Sequence, residues 1–209
     1  MILYGSSLSP FTRKALAFVA EKGLPFEHRP VAPRDMSPDF RACSPFGKIP
    51  AIDDGGFRLA DSSAICHYLE RKYPAPALFP SGVEDFARMM WFEEFNDTLL
   101  IPAAGKVFFQ LVVRPNLLKE PTDMAAVEQA LTNDIPPVFD YLDRQISGPF
   151  LVGDTITLAD IAIHCIFVNL KITGHRVDVA RWPKLAKYIA DLMARPTLAQ
   201  IRDPKAAAA

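Results

Sequence analysis

The sequence predicts a small α/β domain followed by an all-helical one, and three observations lead there. Strand and helix signals alternate over a first stretch of about 80 residues in the order strand, helix, strand, helix, strand, strand, helix, the pattern of a sheet covered by helices. Pro74, Pro76 and Pro80 then fall close together, forming a stiff linker that needs no regular structure. The apolar patterns beyond that linker repeat at helical spacing. Domains of residues 1–77 and 84–203 are expected, with the boundary near Leu78. Half of the 209 residues are apolar, so both domains can bury a core.

In chain order, Ile2, Leu3 and Tyr4 make a short apolar run suited to a buried strand, and Gly5 to Leu8 form a loop. A helix is expected to start at Ser9-Pro10, because serine caps a free backbone N–H and proline at the first helical position gives up a donor the helix cannot use. Phe11, Ala15, Phe18 and Val19 follow at helical spacing and Gly23 supplies the stop. Phe26 to Val31, bracketed by Pro25 and Pro30, reads as an edge strand. Ser37-Pro38 repeats the serine-proline start, for a short helix ending at Cys43. Ala51-Ile52-Asp53 and Phe57-Arg58-Leu59, separated by Asp54-Gly55-Gly56, read as a hairpin. Pro50 just ahead of it has no N–H to give a ladder, so the backbone of Ile49 is expected to face outward from a sheet edge, where an extended peptide can pair. Asp61-Ser62-Ser63 then caps a helix carrying Ile65, Tyr68, Leu69 and Lys72 on one face, ended by Pro74.

In the second part, a long helix is expected from Glu84 to Leu100, bent by Pro102, and beyond it a Phe- and Val-rich stretch from Ala103 to Val113. A further helical segment starts at Thr122 and covers Met124 to Ile146, interrupted near Pro136-Pro137. Thr157 and Asp160 are spaced as a capping box, with Ile156 stapling onto Ile161, ahead of a stripe of Ile161, Cys165, Val168 and Ile172. His164 reads as a core histidine, and Asn169 as a residue that faces either the core or a pocket. Trp182-Pro183 opens the last helix, which stops before Arg195-Pro196, and the Ala206 to Ala209 tail has too little apolar surface to pack.

Composition narrows the function. A formal charge of −1 without any run of Lys or Arg leaves no basic surface, so nucleic acid is not an expected partner. Cys43, Cys66 and Cys165 are widely separated and lack a C-x-x-C, which fits neither a disulfide framework nor a zinc site and points to a reducing, cytoplasmic setting. His28, His67, His164 and His175 show no H-x-x-x-H pairing, so no metal is expected. No apolar run approaches the roughly 18 residues that span a bilayer and no signal-peptide pattern opens the chain, so no membrane association is expected.

Two helix starts are candidate binding positions. The N-terminus at Ser9 carries about half a positive charge and free N–H groups, which stabilise an anion and depress the pKa of a bound thiol below about 8.5; a serine hydroxyl there either donates to the thiolate or serves only as the cap. The N-terminus at Ser62 offers N–H groups and a hydroxyl beside Asp61, whose carboxylate suits an ammonium.

The ordered motifs Ser9-Pro10-Phe11, Gly47-Lys48-Ile49-Pro50 and Asp61-Ser62-Ser63-Ala64-Ile65, with the Thr157 to Asp160 box, resemble those of the cytosolic glutathione S-transferases of the serine type, bacterial-like or tau/zeta-like, over nearly the whole chain. The resemblance implies a thioredoxin-like N-terminal domain, an all-helical C-terminal domain, and a glutathione S-transferase that activates the thiolate for attack on an electrophilic, apolar small molecule. It implies that Pro50 is cis, that the Ile49 backbone pairs with the cysteinyl unit, that Lys48 meets the glycyl carboxylate and that Asp61 and Ser62 hold the γ-glutamyl end. Ser9 is then the catalytic donor to the sulfur, with Ser6, Ser7 and Tyr4 as competing hydroxyls. Phe11, Phe108 and Phe109 are the expected apolar substrate pocket, unless the aromatic pair is core. Met36 stands where some relatives carry a basic residue. Cysteine is absent at Ser9, which disfavours redox or deglutathionylating chemistry. Glutathione is implied as cosubstrate, a homodimer as the assembly and the cytoplasm as the location. Glutathione-dependent isomerisation, ether cleavage or dehalogenation, and a non-catalytic module of the same fold, are the alternatives.

Overall fold

The computed structural model describes residues 1–32 and 34–201; the Ala206 to Ala209 tail and the last residues of the expected 84–203 domain lie outside them. The chain divides into two compact units, Met1–Phe79 with the C-terminal residues from Ala194, and Pro80–Met193.

The first unit is built on a four-stranded sheet of β1 (Ile2–Tyr4), β2 (Glu27–Arg29), β3 (Ala51–Asp54) and β4 (Phe57–Ala60) in the order β2-β1-β3-β4. β1 runs parallel to β2, with Leu3 opposite His28, and antiparallel to β3, with Leu3 opposite Ile52. Leu3 and Ile52 are fully buried, which fixes the register, since a one-residue slip would turn both to the other face. The β3–β4 hairpin turns on Gly55 and Gly56, both at positive φ (+64° and +96°), as its tight turn requires. β2 is an edge strand, as Pro25 and Pro30 imply. β3 is not: it is paired on both sides, and Ile49 lies beyond the end of the ladder instead of along a lateral edge.

Between β1 and β2 runs α1 (Pro10–Glu21), followed by α2 (Pro38–Cys43) and α3 (Ser62–Lys72). Gly23, at φ +64°, closes α1, and the N–H of Leu24 reaches back to the carbonyl of Val19 at 3.2 Å. The face of α1 that carries Ala15, Leu16, Phe18 and Val19 is buried, but so are Arg13 and Lys14, which the apolar pattern did not foretell. Arg13 Nη2 donates to the Ser7 carbonyl at 2.6 Å and Lys14 Nζ to Ser63 Oγ at 3.2 Å.

The proline-rich stretch after α3 has no regular structure, yet it is pinned. Lys22 Nζ donates to the carbonyls of Tyr73 (2.8 Å) and Pro76 (2.7 Å) and pairs with Glu70 at 2.5 Å, while Glu70 accepts from the N–H groups of Leu78 and Phe79. Phe79 packs edge-on against Phe18 and His67. The stretch is therefore part of the first unit up to Phe79. The chain also returns to this unit in a short helix that the sequence pattern did not reveal, α10 (Pro196–Gln200). It is held to α1 by Glu21, which accepts from Arg195 Nε at 2.6 Å and from the Thr197 hydroxyl.

The second unit is helical: α4 (Val83–Phe95), α5 (Ile101–Phe108), α6 (Met124–Gln129), α7 (Ile135–Gln145), α8 (Leu158–Ile172) and α9 (Pro183–Ala194). Widened, π-helical stretches occupy Asn96–Leu100, Phe109–Leu118 and Ala130–Asp134. Each adjoins or contains a proline: Pro102, Pro115 and Pro136-Pro137. A proline in a helix lacks a donor and crowds the carbonyl four residues back, and widening the turn relieves both defects. The expected bend at Pro102 thus appears as a widened turn just ahead of it, and the chain stays helical from Val83 to Leu118. Thr122 is not the cap of the next helix; Asp123 is, accepting from the Ala126 N–H at 3.1 Å, while the Thr122 hydroxyl donates to the Gln110 carbonyl.

α8 is buried all round from Leu158 to Leu170, so Ile161, Cys165 and Val168 of the expected stripe are buried together with all their neighbours, while Ile172 at its end is 42% exposed. His164 and Asn169 are both buried. Asp160 is the hub of this unit. It accepts from the Thr157 N–H (2.8 Å) and hydroxyl (3.0 Å), from the Leu151 N–H (2.9 Å) and from the Tyr188 hydroxyl (2.7 Å), tying the preceding loop and α9 to the start of α8. Burial pushes the Asp160 carboxyl above its ordinary pKa against the opposing pull of those donors, and burial beside Asp160 pushes Tyr188 well up.

Asp160→Asn is expected to keep one acceptor oxygen and orphan the Thr157 donors, costing about 1–3 kcal/mol. Because the folded-state value is raised, the Asp160 contribution is fullest below its unfolded pKa of about 3.9 and declines as pH rises through the folded value. The loss caused by Asp160→Asn should therefore be greater at pH 4 than at pH 7 in urea unfolding; a loss that grows with pH would contradict this assignment.

Candidate functional site

The loop before β3 and the start of α3 are brought together by a single backbone bond: the Asp61 N–H donates to the Pro50 carbonyl at 3.2 Å. The Ile49–Pro50 peptide bond is cis. No backbone hydrogen bond engages Ile49 among the described residues, so its amide is available to an extended ligand. A cleft of about 350 Å³ opens there, lined by Ser44, Pro45, Phe46, Lys48, Ile49, Ala60, Asp61 and Ser62, with Phe11 from the first turn of α1.

Asp61 caps α3 from a left-handed backbone (φ +86°), its Oδ1 accepting from the N–H groups of Ser63 and Ala64, both at 3.0 Å. Its Oδ2 takes no hydrogen bond among the described residues and is left to face a cation. Ser62 is 2% exposed, yet lines the cleft at the positive end of the α3 dipole. The Ser44 hydroxyl donates to the Lys48 carbonyl at 2.7 Å and so fixes the loop, while the Lys48 side chain is exposed. The lining of the cleft thus offers a carboxylate, a helix N-terminus, an open backbone amide and an ammonium. This suits a short peptide with one ammonium and two carboxylates.

Ser9 is the N-cap of α1, with extended backbone (φ −75°, ψ 126°), and its Oγ accepts from the Thr12 N–H at 3.3 Å. Capping uses an oxygen lone pair and leaves the hydroxyl proton to donate elsewhere. Neither Ser9 nor Pro50 is among the residues lining the cleft; Phe11, two residues on, represents α1 there. Of the competing hydroxyls, Tyr4 is 6% exposed, packs its ring on Phe40 in a core cluster with Val31, Cys43 and Ala51, and accepts from Arg29 Nη1 at 3.3 Å. Ser6 Oγ accepts from the Leu8 N–H, and the Ser7 carbonyl holds Arg13. Phe108 is 6% exposed within the helical unit, whereas Phe109 is 45% exposed.

Ser44, Pro45, Phe46 and Ala60 line the cleft beyond the residues expected from the sequence. Phe46, an apolar side chain between proline and glycine in a loop, was the available signal; it is 91% exposed. Cys43 is not among the lining residues, and burial pushes its thiol above the ordinary value. The three cysteines are free. Among the described residues no group of three or more His, Cys, Asp or Glu is placed to hold a metal ion, and no helix is long and apolar enough to cross a membrane.

A mixed sheet whose cis-proline loop meets a helix start, continued by a helical unit, defines the two-domain thioredoxin-like class of peptide-thiol binders. Comparison with known proteins agrees. The glutathione S-transferase N-terminal domain matches residues 3–77 and the glutathione S-transferase C-terminal domain residues 112–202. A probable glutathione S-transferase of Oryza sativa subsp. japonica, GSTF2, is 32% identical over 94% of this chain and 93% of its own. The glutathione S-transferase hmp2 of Hypomyces subiculosus is 32% identical over 93% of this chain and 94% of its own. Glutathione S-transferase I from maize, solved with an atrazine–glutathione conjugate, superposes with a TM-score of 0.84 at 25% identity, over 96% of this chain and 95% of the other. The chain belongs to the glutathione S-transferase family.

Proposed function

We propose that this protein is a glutathione S-transferase in which residues 1–77 bind glutathione, ahead of the helical unit Pro80–Met193. The cleft between the cis-Pro50 loop and the start of α3 carries the reading. The γ-glutamyl end sits at Ser62 and the α3 N-terminus, with its ammonium on Asp61. The cysteinyl unit pairs with the Ile49 backbone at Pro50, and the glycyl carboxylate meets Lys48. Ser9 donates to the sulfur and, with the α1 terminus, holds it as the thiolate. The thiolate attacks an electrophilic carbon of an apolar molecule; its leaving group departs, and the thiol proton passes to solvent. No protein base is required, since a depressed thiol pKa already supplies the nucleophile near neutral pH. Phe11 is the apolar wall of the cleft nearest α1. Phe109 offers exposed ring surface to an apolar cosubstrate, whereas Phe108 is buried.

A homodimer and a cytoplasmic location accompany this reading; light scattering on the eluting protein checks the first. The direct functional test is conjugation of an activated aryl chloride by the purified protein, read as chloride release that depends on glutathione. Retention on immobilised glutathione without turnover would favour the non-catalytic module, and absence of both would overturn the proposal.

A further inference from the structure

Thr12, in the first turn of α1, is fully buried, yet its hydroxyl enters no hydrogen bond among the described residues. A hydroxyl withdrawn from water without a partner is costly, and a threonine in a helix ordinarily bonds to the carbonyl of the preceding turn. That bond is absent here.

The surroundings of Thr12 leave its hydroxyl few acceptors. A Cβ on Gly5 would lie 2.4 Å from Thr12 Oγ1 and 2.7 Å from Cγ2, so the side chain rests on the bare Cα of that glycine. The nearby carbonyls are engaged: that of Gly5 pairs with His28 Nε2 at 2.9 Å, that of Ser6 accepts from the Ser9 N–H at 2.9 Å, that of Ser7 from Arg13 Nη2 at 2.6 Å and that of Ser9 from the Arg13 N–H at 2.9 Å. Ser9 stands three residues back on the same face of α1, and its Oγ already accepts from the Thr12 N–H at 3.3 Å. That oxygen keeps a second lone pair and its own proton.

We propose that Thr12 is a positioning residue for the sulfur site: its buried hydroxyl donates to Ser9 Oγ when the Ser9 proton is turned to a bound sulfur. This rests on the glutathione reading above. Thr12 O–H gives to Ser9, Ser9 O–H gives to the thiolate, and no proton changes hands along the chain. A donor into the Ser9 oxygen polarises its O–H, which strengthens the bond that oxygen gives and fixes its direction.

The test titrates the thiolate absorbance of the glutathione complex with pH in the wild type, Thr12→Val, Thr12→Ser and Ser9→Ala, and in Ser9→Ala carrying Thr12→Val. Valine keeps the shape of threonine without the hydroxyl, and serine keeps the hydroxyl without the methyl. Thr12→Val should raise the bound-thiol pKa by about half a unit to one unit, a roughly three- to tenfold smaller thiolate fraction at a pH below it. Its urea midpoint should be no lower than that of the wild type, since a buried hydroxyl without a partner is removed. Thr12→Ser should bring the pKa back to the wild-type value, and Thr12→Val should add nothing in the Ser9→Ala background. An unchanged pKa in Thr12→Val overturns the proposal. So does an equal rise in Thr12→Ser, which would assign the effect to packing on Gly5, or an equal rise in the Ser9→Ala background, which would mean that Thr12 does not act through Ser9. A wild type that binds no glutathione overturns the glutathione reading and this proposal with it, whereas binding retained with a pKa blind to Thr12→Val overturns this proposal alone.

Discussion

Ser9→Ala is expected to lower turnover with glutathione and an aryl halide by roughly a hundredfold at neutral pH, the usual effect of removing one donor aimed at a developing or stabilised anion. The same substitution removes an N-cap, at a cost of about 1 kcal/mol, so the two roles must be separated. Ser9→Asp separates them: aspartate caps as well as serine but places a negative charge where the sulfur would sit. The account predicts that Ser9→Asp keeps its thermal stability and loses turnover at least as completely as Ser9→Ala. Ser9→Thr should retain most of both. Full activity in Ser9→Asp would assign Ser9 to capping alone and return Ser6 and Ser7 as the hydroxyls to test. Tyr4 is the weaker substitute, because it is buried in a core cluster with its ring packed on Phe40.

The largest expected loss of stability lies at Lys22→Met. The Lys22 side chain is fully buried and its ammonium serves Tyr73, Pro76 and Glu70, whose own side chain is 10% exposed. Methionine fills the space but leaves a buried carboxylate without its counter-charge and two carbonyls without a donor. Breaking one partner of such a pair costs about 3–5 kcal/mol. The double substitution Lys22→Met/Glu70→Leu should recover part of that loss, since removing both charges also removes the uncompensated one. Urea unfolding of the single and double variants checks this, together with the rate of proteolytic cutting between Tyr73 and Pro80. A cost under about 1 kcal/mol for Lys22→Met would mean that the packing of Phe79 on Phe18, not the ion pair, secures the stretch.

Much of the fold was legible because its signals are local. Serine-proline starts at Ser9 and Ser37, the paired glycines of the hairpin and the Thr157 to Asp160 spacing each state a backbone conformation within four residues, and each element stands where its signal places it. What escaped depends on contacts far apart in sequence. Lys22 and Glu70 turn a proline-rich linker into a pinned part of the first unit, and neither residue advertises a partner some fifty positions away. The α10 helix escaped for the same reason: it is held by Glu21, at the other end of the chain. α8 is buried on the face opposite Ile161, Cys165 and Val168 as well, and the spacing of those three residues is satisfied by a one-sided helix and by a fully buried one alike.

The candidate site divides along the same line. Lys48, Ile49, Asp61 and Ser62 were named from two short motifs, and they line one cleft. The backbone argument for Ile49 placed it on a sheet edge, whereas β3 is interior and the open amide comes from the residue's position past the end of the ladder.

The claim on which the account turns is that the chain lowers the pKa of bound glutathione through Ser9 at the α1 terminus. It is tested by titrating the thiolate absorbance of the glutathione complex with pH, for the wild type and for Ser9→Ala. The account predicts a bound thiol well below the free value of about 8.5, and a return toward that value in Ser9→Ala with binding retained. A bound thiol that titrates at the free value, or a depressed value identical in the two proteins, would contradict it.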